Sequence, residues 1–508
     1  MADSQKPNIL ILMTDQQRPD SLGCYGNPVA RTPNIDALAR DGVVFDNCYV
    51  QNPLCCPARY SLLTGRYPHA HGVRSNWFQP NDGETSFGHQ LKRVGYRTSL
   101  IGKMHFTPWH DCFGFDGRII AEAKFDTECP DDYEHFLNKH GWSRKDLYDL
   151  ESDEYVQNAT AVKSKLPTDL HIDSFVGRSV CEYLRRVSGP FCCFASFLSP
   201  HNPYDPPAPY DTLFDNVPLP PRNMTENEID RKPPEAYQYI NTRLKWPFTT
   251  DELSEEQVRT TKAHYYATCT LIDDWVGRIV DVLKKTGAYE NTIIVFTSDH
   301  GDLLGDHGLV YKQCFYEQSV RVPLIVHGPQ FFAGKRVDDL VEAIDLFSTF
   351  CELGGAWQGR GRQGKSLVPL LHDTPGYRHR DAAFSENYFG TMVRWENYKM
   401  IYYPGKPYGE LYDLTADPDE QINLWEDLEG SDVKNHLKSL LLEWAFASRD
   451  PLPPPVRRDH FDHTPPALST ENGRTVECNY QPWYLDELAD LYETWEFAED
   501  GSGRKTGE

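Results

Sequence analysis

Cys55, Pro57 and Arg59 open the run Cys-Cys-Pro-Ala-Arg-Tyr-Ser-Leu-Leu-Thr-Gly, which ends at Gly65. A thiol, a proline two residues on and an arginine four residues on make a compact reactive turn. Pro57 fixes its own φ and biases Cys56 toward an extended conformation, and the Tyr-Ser-Leu-Leu run reads as the first turns of a helix. This predicts Cys55 just before a helix N-terminus. Unpaired N–H groups and the positive dipole end suit an anionic substrate there, and Arg59 adds a fixed charge one turn in. Alone, the same residues also fit a buried cysteine pair beside a helix start, so the reading depends on what else converges on them.

Four apolar runs end in polar groups that could converge. Asn8 to Met13 leads into Thr14-Asp15-Gln16-Gln17; Arg97 to Gly102 delivers Lys103-Met104-His105; Phe191 to Leu198 delivers Ser199-Pro200-His201; Asn291 to Phe296 delivers Thr297-Ser298-Asp299-His300-Gly301-Asp302. Continuous apolar runs of this length read as parallel strands buried on both faces, and an open α/β sheet holds its ligand at the carboxyl ends of its strands. Separately, Asp15 could cap a helix, Lys103 could be a surface charge and His201 a loop histidine. Together, Asp15, Gln16, Asp299 and His300 offer carboxylate, amide and imidazole donors suited to a divalent cation.

With these residues the chain resembles the type I sulfatases of the alkaline phosphatase superfamily, whose signature is Cys-x-Pro-Ser/Ala-Arg followed by Leu-Thr-Gly. Cys55, Pro57, Arg59, Leu63, Thr64 and Gly65 match it, and Gly301 to Leu309 leads to Lys312 as the family's Asp-His-Gly segment leads to a lysine. Leu411 to Leu414, Asp417-Pro418 and Asn423-Leu424 resemble its C-terminal subdomain, so the likeness runs from Pro7 to Leu424. It implies an α/β fold: a large mixed, mainly parallel sheet sandwiched by helices, with a smaller C-terminal antiparallel α+β subdomain.

The resemblance further implies that Cys55, not Cys56, is oxidised to formylglycine by a formylglycine-generating enzyme. The metal would be held by Asp15, Gln16, the modified Cys55, Asp299 and His300. Arg59 and His105 would orient the hydrated aldehyde, Lys103 and Lys312 would hold the transferring group, and His201 would act as leaving-group acid. The resemblance implies calcium; the family often has Asp where this chain has Gln16 and Asn where it has His300, and the neutral amide and imidazole make manganese the alternative. Hydrolysis of a small-molecule sulfate ester is the implied reaction. A phosphonate monoester or phosphodiester hydrolase of the same superfamily is one alternative, although that branch typically lacks a pair like Lys103 and His105. A non-catalytic binding protein with Cys55 unconverted is another. Aromatic loop residues Trp77, Phe78, Trp109 and Tyr204 either stack on a substrate ring or pack within the loops.

The 508 residues carry a formal net charge of −24, which argues against nucleic-acid and anionic-membrane partners. Thirteen cysteines, an odd count with adjacent pairs, do not read as a secreted disulfide framework. With no secretory leader pattern at the N-terminus and no run of membrane-spanning length, a cytoplasmic location is expected. Residues 1–378 read as the catalytic domain, 379–450 as a small-sheet subdomain with strands at Lys399–Tyr403 and Glu410–Leu414, and 451–508 as a connector and terminal arm. Within the first, Thr32–Ala39 and Glu255–Lys285 read as helices, Val43–Phe45 and Val322–His327 as strands, and Tyr204 to about Leu253 as loops over the site mouth. Pro451–Pro466 reads as a proline-rich connector and Trp483–Trp495 as an amphipathic helix, a possible homo-oligomer contact.

Overall fold

Strand β1 (Asn8–Asp15) is buried along its whole length, and its apolar residues Ile9 to Met13 are fully enclosed. Each such side chain contributes roughly 1.5–3 kcal/mol of burial. This computed structural model describes residues 6–124, 131–148, 160–228, 231–233, 253–449, 495–497 and 503–505. The other strands of the main sheet are β2 (Val43–Tyr49), β3 (Arg97–Gly102), β4 (Gly117–Ile120), β5 (Phe191–Pro200), β6 (Thr292–Ser298), β7 (Arg321–His327) and β8 (Lys335–Glu342). They lie in the order β4-β3-β5-β1-β6-β7-β2-β8. β7 runs antiparallel to β6 and β2, and the other pairings are parallel. The sheet is therefore mixed and mainly parallel, and the four strands read from apolar runs occupy adjacent places as β3, β5, β1 and β6.

The longer helices are α1 (Pro33–Arg40), α2 (Cys55–Thr64), α3 (Phe87–Arg93), α4 (Asp132–Lys139), α5 (Ile172–Arg186), α6 (Glu255–Lys285), α7 (Asp345–Gly354) and α8 (Asp432–Ala447). Helix α6 starts at a capping box in which Ser254 and Gln257 satisfy each other's backbone N–H groups. Its apolar stripe of Tyr265, Cys269, Ile272, Val276, Ile279 and Leu283 is buried. The strands β4 and β8 and the helices α5 and α7 carry no motif and were not expected from the sequence.

A second sheet of four antiparallel strands, β9 (Ala382–Glu386), β10 (Thr391–Trp395), β11 (Tyr398–Tyr402) and β12 (Gly409–Asp413), follows in the order β12-β11-β10-β9. Two of these strands were expected, each one residue further along. One face packs under helix α8, where Trp444 stacks on Phe384 at 5.1 Å between ring centres. From the other face, Met392, Ile401 and Tyr412 join the core of the large sheet. Residues 456–508 form a separate unit. The expected connector and most of the Trp483–Trp495 helix lie outside the described residues. Trp495 itself is in a strand, β13 (Trp495–Phe497), paired antiparallel with β14 (Gly503–Lys505), which corrects the helical expectation at that residue.

Candidate active site

Cys55 is the first residue of α2, not the residue before it. Pro57 falls at the third helical position, where its missing N–H is one that would have no partner inside the helix. Helix α2 is buried on all sides. The free N–H of Cys56 is met by the Asn76 side chain at 3.1 Å, and the Cys56 thiol donates to the His105 carbonyl at 2.9 Å. Cys56 thus fastens the loop after β3, while the Cys55 sulfur faces the strand ends.

Strands β1 and β6 lie in direct register, with Thr14 beside Ser298, so Asp15 and Asp299 emerge side by side. The backbone N–H of Gln16 donates to Asp299 Oδ1 at 3.0 Å. Arg59, 1% exposed, reaches across both carboxylates: Nε donates to Asp299 Oδ2 at 2.8 Å and Nη2 to Asp15 Oδ2 at 3.2 Å. Its remaining fork binds Ser196 Oγ at 2.8 Å and the Lys103 carbonyl. Lys103 Nζ pairs with Asp15 Oδ2 at 2.6 Å. One oxygen of each carboxylate is thereby fixed by cations, and the Oδ1 atoms of Asp15 and Asp299 face His300 Nε2 at 3.8 and 3.7 Å. His300 Nε2 lies 3.1 Å from Cys55 Sγ.

These groups fit a hard divalent cation. One donor atom from each of Asp15, Cys55, Asp299 and His300 lies within 4.8 Å of the others, all buried. His300 Nδ1 contacts the Gly301 carbonyl at 3.0 Å, an arrangement that leaves the Nε2 lone pair for a metal. The carboxylates also repel each other. Burial would raise Asp15, but Lys103, His201 and Arg59 hold it well below the usual range, whereas burial and the Asp15 charge raise Asp299. A bound cation would relieve that repulsion. Gln16 sits beside this cluster, its Oε1 accepting from Lys312 Nζ and its Nε2 donating to Asp302.

The atom at position 55 lies in a cationic field. Burial alone would raise the Cys55 thiol, but Lys312, Lys103 and His300 pull it well below its ordinary value. Burial and Lys312 push the His201 imidazole down to about 4, against the opposite pull of Asp15. His201 Nδ1 lies 2.6 Å from the Asn202 carbonyl, so its other nitrogen is the one available to the site. Burial would also lower His105, but Cys56 and Cys55 reverse this and raise it to about 9. All of Asp15, Gln16, Cys55, Arg59, Lys103, His105, His201, Asp299, His300 and Lys312 therefore meet at one rim of the sheet.

Two supporting residues, Glu122 and Lys124, had no sequence signal. His105 is held at φ 59° and Gln16 at φ 72°, left-handed conformations that non-glycine residues rarely adopt. Glu122 holds the first by accepting from the N–H of Met104 at 3.1 Å and of His105 at 2.9 Å. Lys124 secures the His201 loop, donating to Ser199 Oγ at 2.9 Å, the His201 and Pro203 carbonyls at 3.0 Å each, and Asp205 at 2.7 Å. Asp302 accepts from Leu304 N and Tyr311 N at 3.0 and 3.1 Å, so it shapes the turn that ends at Lys312. Among the aromatic candidates, Tyr204 is buried with its hydroxyl on Asp302 at 2.6 Å. Trp77 and Phe78 are exposed, and the Trp77 ring meets His105 edge-on at 5.2 Å.

Residues 7–356 match the sulfatase family profile, and residues 305–446 match the C-terminal region of N-sulphoglucosamine sulphohydrolase. An arylsulfatase of Clostridium perfringens is 30% identical over 86% of this chain and 94% of its own length. A choline-sulfatase of Rhizobium meliloti is 29% identical over 84% of this chain and 83% of its own. The crystal structure of the phosphonate monoester hydrolase of Agrobacterium radiobacter shares the fold with a TM-score of 0.72, covering 99% of this chain and all of that one at 24% identity.

Proposed function

Because the chain belongs to the sulfatase family and is a sulfuric ester hydrolase, we propose that residue 55, as formylglycine, is the nucleophile that attacks the sulfate ester. The observation that carries this reading is the placement of Cys55 at the start of α2, in a field from Lys312, Lys103 and His300 that favours negative charge on its side-chain atom. A hydrated aldehyde there would supply two hydroxyls, one to attack sulfur and one whose deprotonation expels sulfate and restores the aldehyde. A divalent cation held by Asp15, Gln16, Asp299 and His300, calcium or manganese, would offset substrate charge and lower the pKa of the attacking hydroxyl.

The protein's own groups supply the rest. Lys103 and Lys312 bind the non-bridging sulfate oxygens, where charge accumulates in the transition state. Arg59 holds the outer oxygens of Asp15 and Asp299 and keeps their inner oxygens aimed at the site. His105, raised to about 9 and so protonated at pH 7, donates to the hydrated aldehyde and orients it. His201, lowered to about 4, is neutral in the resting site at pH 7. The Lys312 ammonium therefore protonates or hydrogen-bonds the leaving oxygen first, and His201 contributes once the sulfate has offset the Lys312 charge.

Among the described residues, no helix is long and apolar enough to cross a membrane, and eleven cysteines are free thiols. The thiols support a reducing, cytoplasmic location. The alternative of a phosphonate monoester or phosphodiester hydrolase is tested by comparing rates on a nitrophenyl sulfate and a phenylphosphonate ester, using enzyme produced with a formylglycine-generating enzyme. The sulfate is expected to be the faster substrate; a large preference for the phosphonate would contradict the proposal.

A further inference from the structure

Gln16 differs from the carboxylates at the rim in one respect: its side chain has two unlike ends. A carboxylate presents oxygen whichever way it turns, whereas an amide presents oxygen one way and N–H donors the other, in nearly the same shape. Only the oxygen can meet a cation or accept from Lys312. The backbone of Gln16 is pinned at φ 72°, with its N–H on Asp299 Oδ1 at 3.0 Å and its carbonyl accepting from the Tyr265 hydroxyl at 2.8 Å. What the backbone leaves open is which end of the amide faces inward.

Asp302 closes that choice. It is fully buried, and each of its oxygens takes two donors. Oδ1 accepts from Leu304 N and Tyr311 N at 3.0 and 3.1 Å; Oδ2 accepts from the Tyr204 hydroxyl at 2.6 Å and from Gln16 Nε2. Burial raises the Asp302 carboxyl, and the bonds from Tyr204, Gln16 and Leu304 oppose that rise by favouring the charged form. In that form it offers only acceptors, so the amide turns its N–H to Asp302 and its oxygen to the opposite side, where Lys312 Nζ donates to it. Shaping the turn toward Lys312 needs only Oδ1, which an asparagine would also supply. The second oxygen, and the cost of burying a carboxylate rather than an amide, answer to Gln16.

Resting on the metal site read above, we infer that Asp302 is a positioning residue that locks the Gln16 amide with its oxygen toward the cation, so that a neutral side chain serves as a ligand.

The test exchanges the two groups. Asp302→Asn places an N–H where Gln16 needs an acceptor and so turns the amide over. Gln16→Glu sets two carboxylates face to face. The double variant Gln16→Glu/Asp302→Asn restores one donor against one acceptor at the wild-type charge. Calcium and manganese are titrated by calorimetry into the metal-depleted, matured full-length enzyme, and the melting temperature of the metal-free protein is recorded. Asp302→Asn is expected to weaken calcium binding by about tenfold to a hundredfold, the usual effect of losing the partner behind a ligand. The double variant should bind at least as tightly as the wild type. Without metal, Asp302→Asn should lower the melting temperature in the wild-type background and raise it in the Gln16→Glu background.

A double variant that binds calcium as weakly as Asp302→Asn, or a melting temperature lowered alike in both backgrounds, would overturn the inference and leave Asp302 only the turn. Should Asp302→Asn fail to fold, the double variant decides: folding with wild-type affinity supports the inference, and failure to fold overturns it. A wild type that binds neither cation would remove the metal site itself, which separates that failure from failure of the Asp302 role alone.

Discussion

Cys55 and Cys56 are adjacent and equally buried, yet one faces two carboxylates and an imidazole while the other fastens the His105 carbonyl. The choice of Cys55 over Cys56 came from the resemblance to the family signature, which Cys55 matches by its offsets to Pro57 and Arg59. The role of Glu122 was not legible, because nothing in its local pattern distinguishes it from a surface glutamate. Its carboxylate accepts the two N–H groups that set the left-handed turn at His105 and pairs with the buried Arg118. Glu122→Ala is expected to lower kcat/KM by about tenfold to a hundredfold, through misplacement of His105. The melting temperature should fall as well, because Arg118 is left unpaired. Glu122→Gln, which still accepts from one N–H, should recover part of both in steady-state kinetics and thermal melts.

At the level of elements, Asp15, Gln16, Lys103, His201, Asp299 and His300 lie at or just beyond strand ends, Cys55 and Arg59 come from α2, and contacts distant in sequence join the groups, such as Gln16 to Lys312, 296 residues apart. The strands themselves were legible as unbroken apolar runs. Their exact ends were not, because these depend on cross-strand pairing. Gly102, at φ 94°, ends β3 just before Lys103, and a Cβ there would lie 2.0 Å from the Ser196 carbonyl oxygen, which accepts the Lys103 N–H. Gly102→Ala is therefore expected to destabilise by more than about 2 kcal/mol in denaturant unfolding and to impair substrate binding through displacement of Lys103.

The loop after β5 depends on Asp205. Burial would raise this carboxyl, but Lys124 and His171 hold it down to about 2. A folded-state value below the unfolded one gives stability that is present above roughly pH 4 and lost as pH falls toward 2, worth about 2 kcal/mol. Lys124→Met should remove most of that margin. Acid unfolding followed by fluorescence should then begin at a higher pH than in the wild type, with activity reduced because His201 is no longer anchored.

Across the whole molecule, the small sheet is joined to the large one by a buried charge cluster as well as by apolar packing. Arg380 pairs with Glu342 Oε2 at 2.5 Å and with Asp345. Tyr67 donates to Glu342 at 2.8 Å and His379 contacts Asp345 at 3.0 Å. Glu342 ends β8 and Asp345 begins α7, so this cluster ties the start of the small sheet to the edge of the large one. None of these residues belongs to a motif, and the partners come together only once both sheets have formed. Arg380→Met would leave two carboxylates buried without their shared cation, and a loss of about 3–5 kcal/mol is expected in urea unfolding. A change below about 1 kcal/mol would show that apolar packing alone holds the junction.

Tyr388 and Phe389, in the loop between β9 and β10, line a small cavity with Leu54 and Gln313, so the C-terminal sheet also packs against the start of α2. The proposed chemistry rests on a single reactive atom. The direct measurement is tandem mass spectrometry of the peptide spanning Cys55 and Cys56, from enzyme produced with a formylglycine-generating enzyme and shown to hydrolyse a nitrophenyl sulfate. The prediction is an aldehyde at position 55, an intact thiol at 56, and no turnover by Cys55→Ala. An active enzyme with an unmodified thiol at 55, or with its aldehyde at 56, would contradict it.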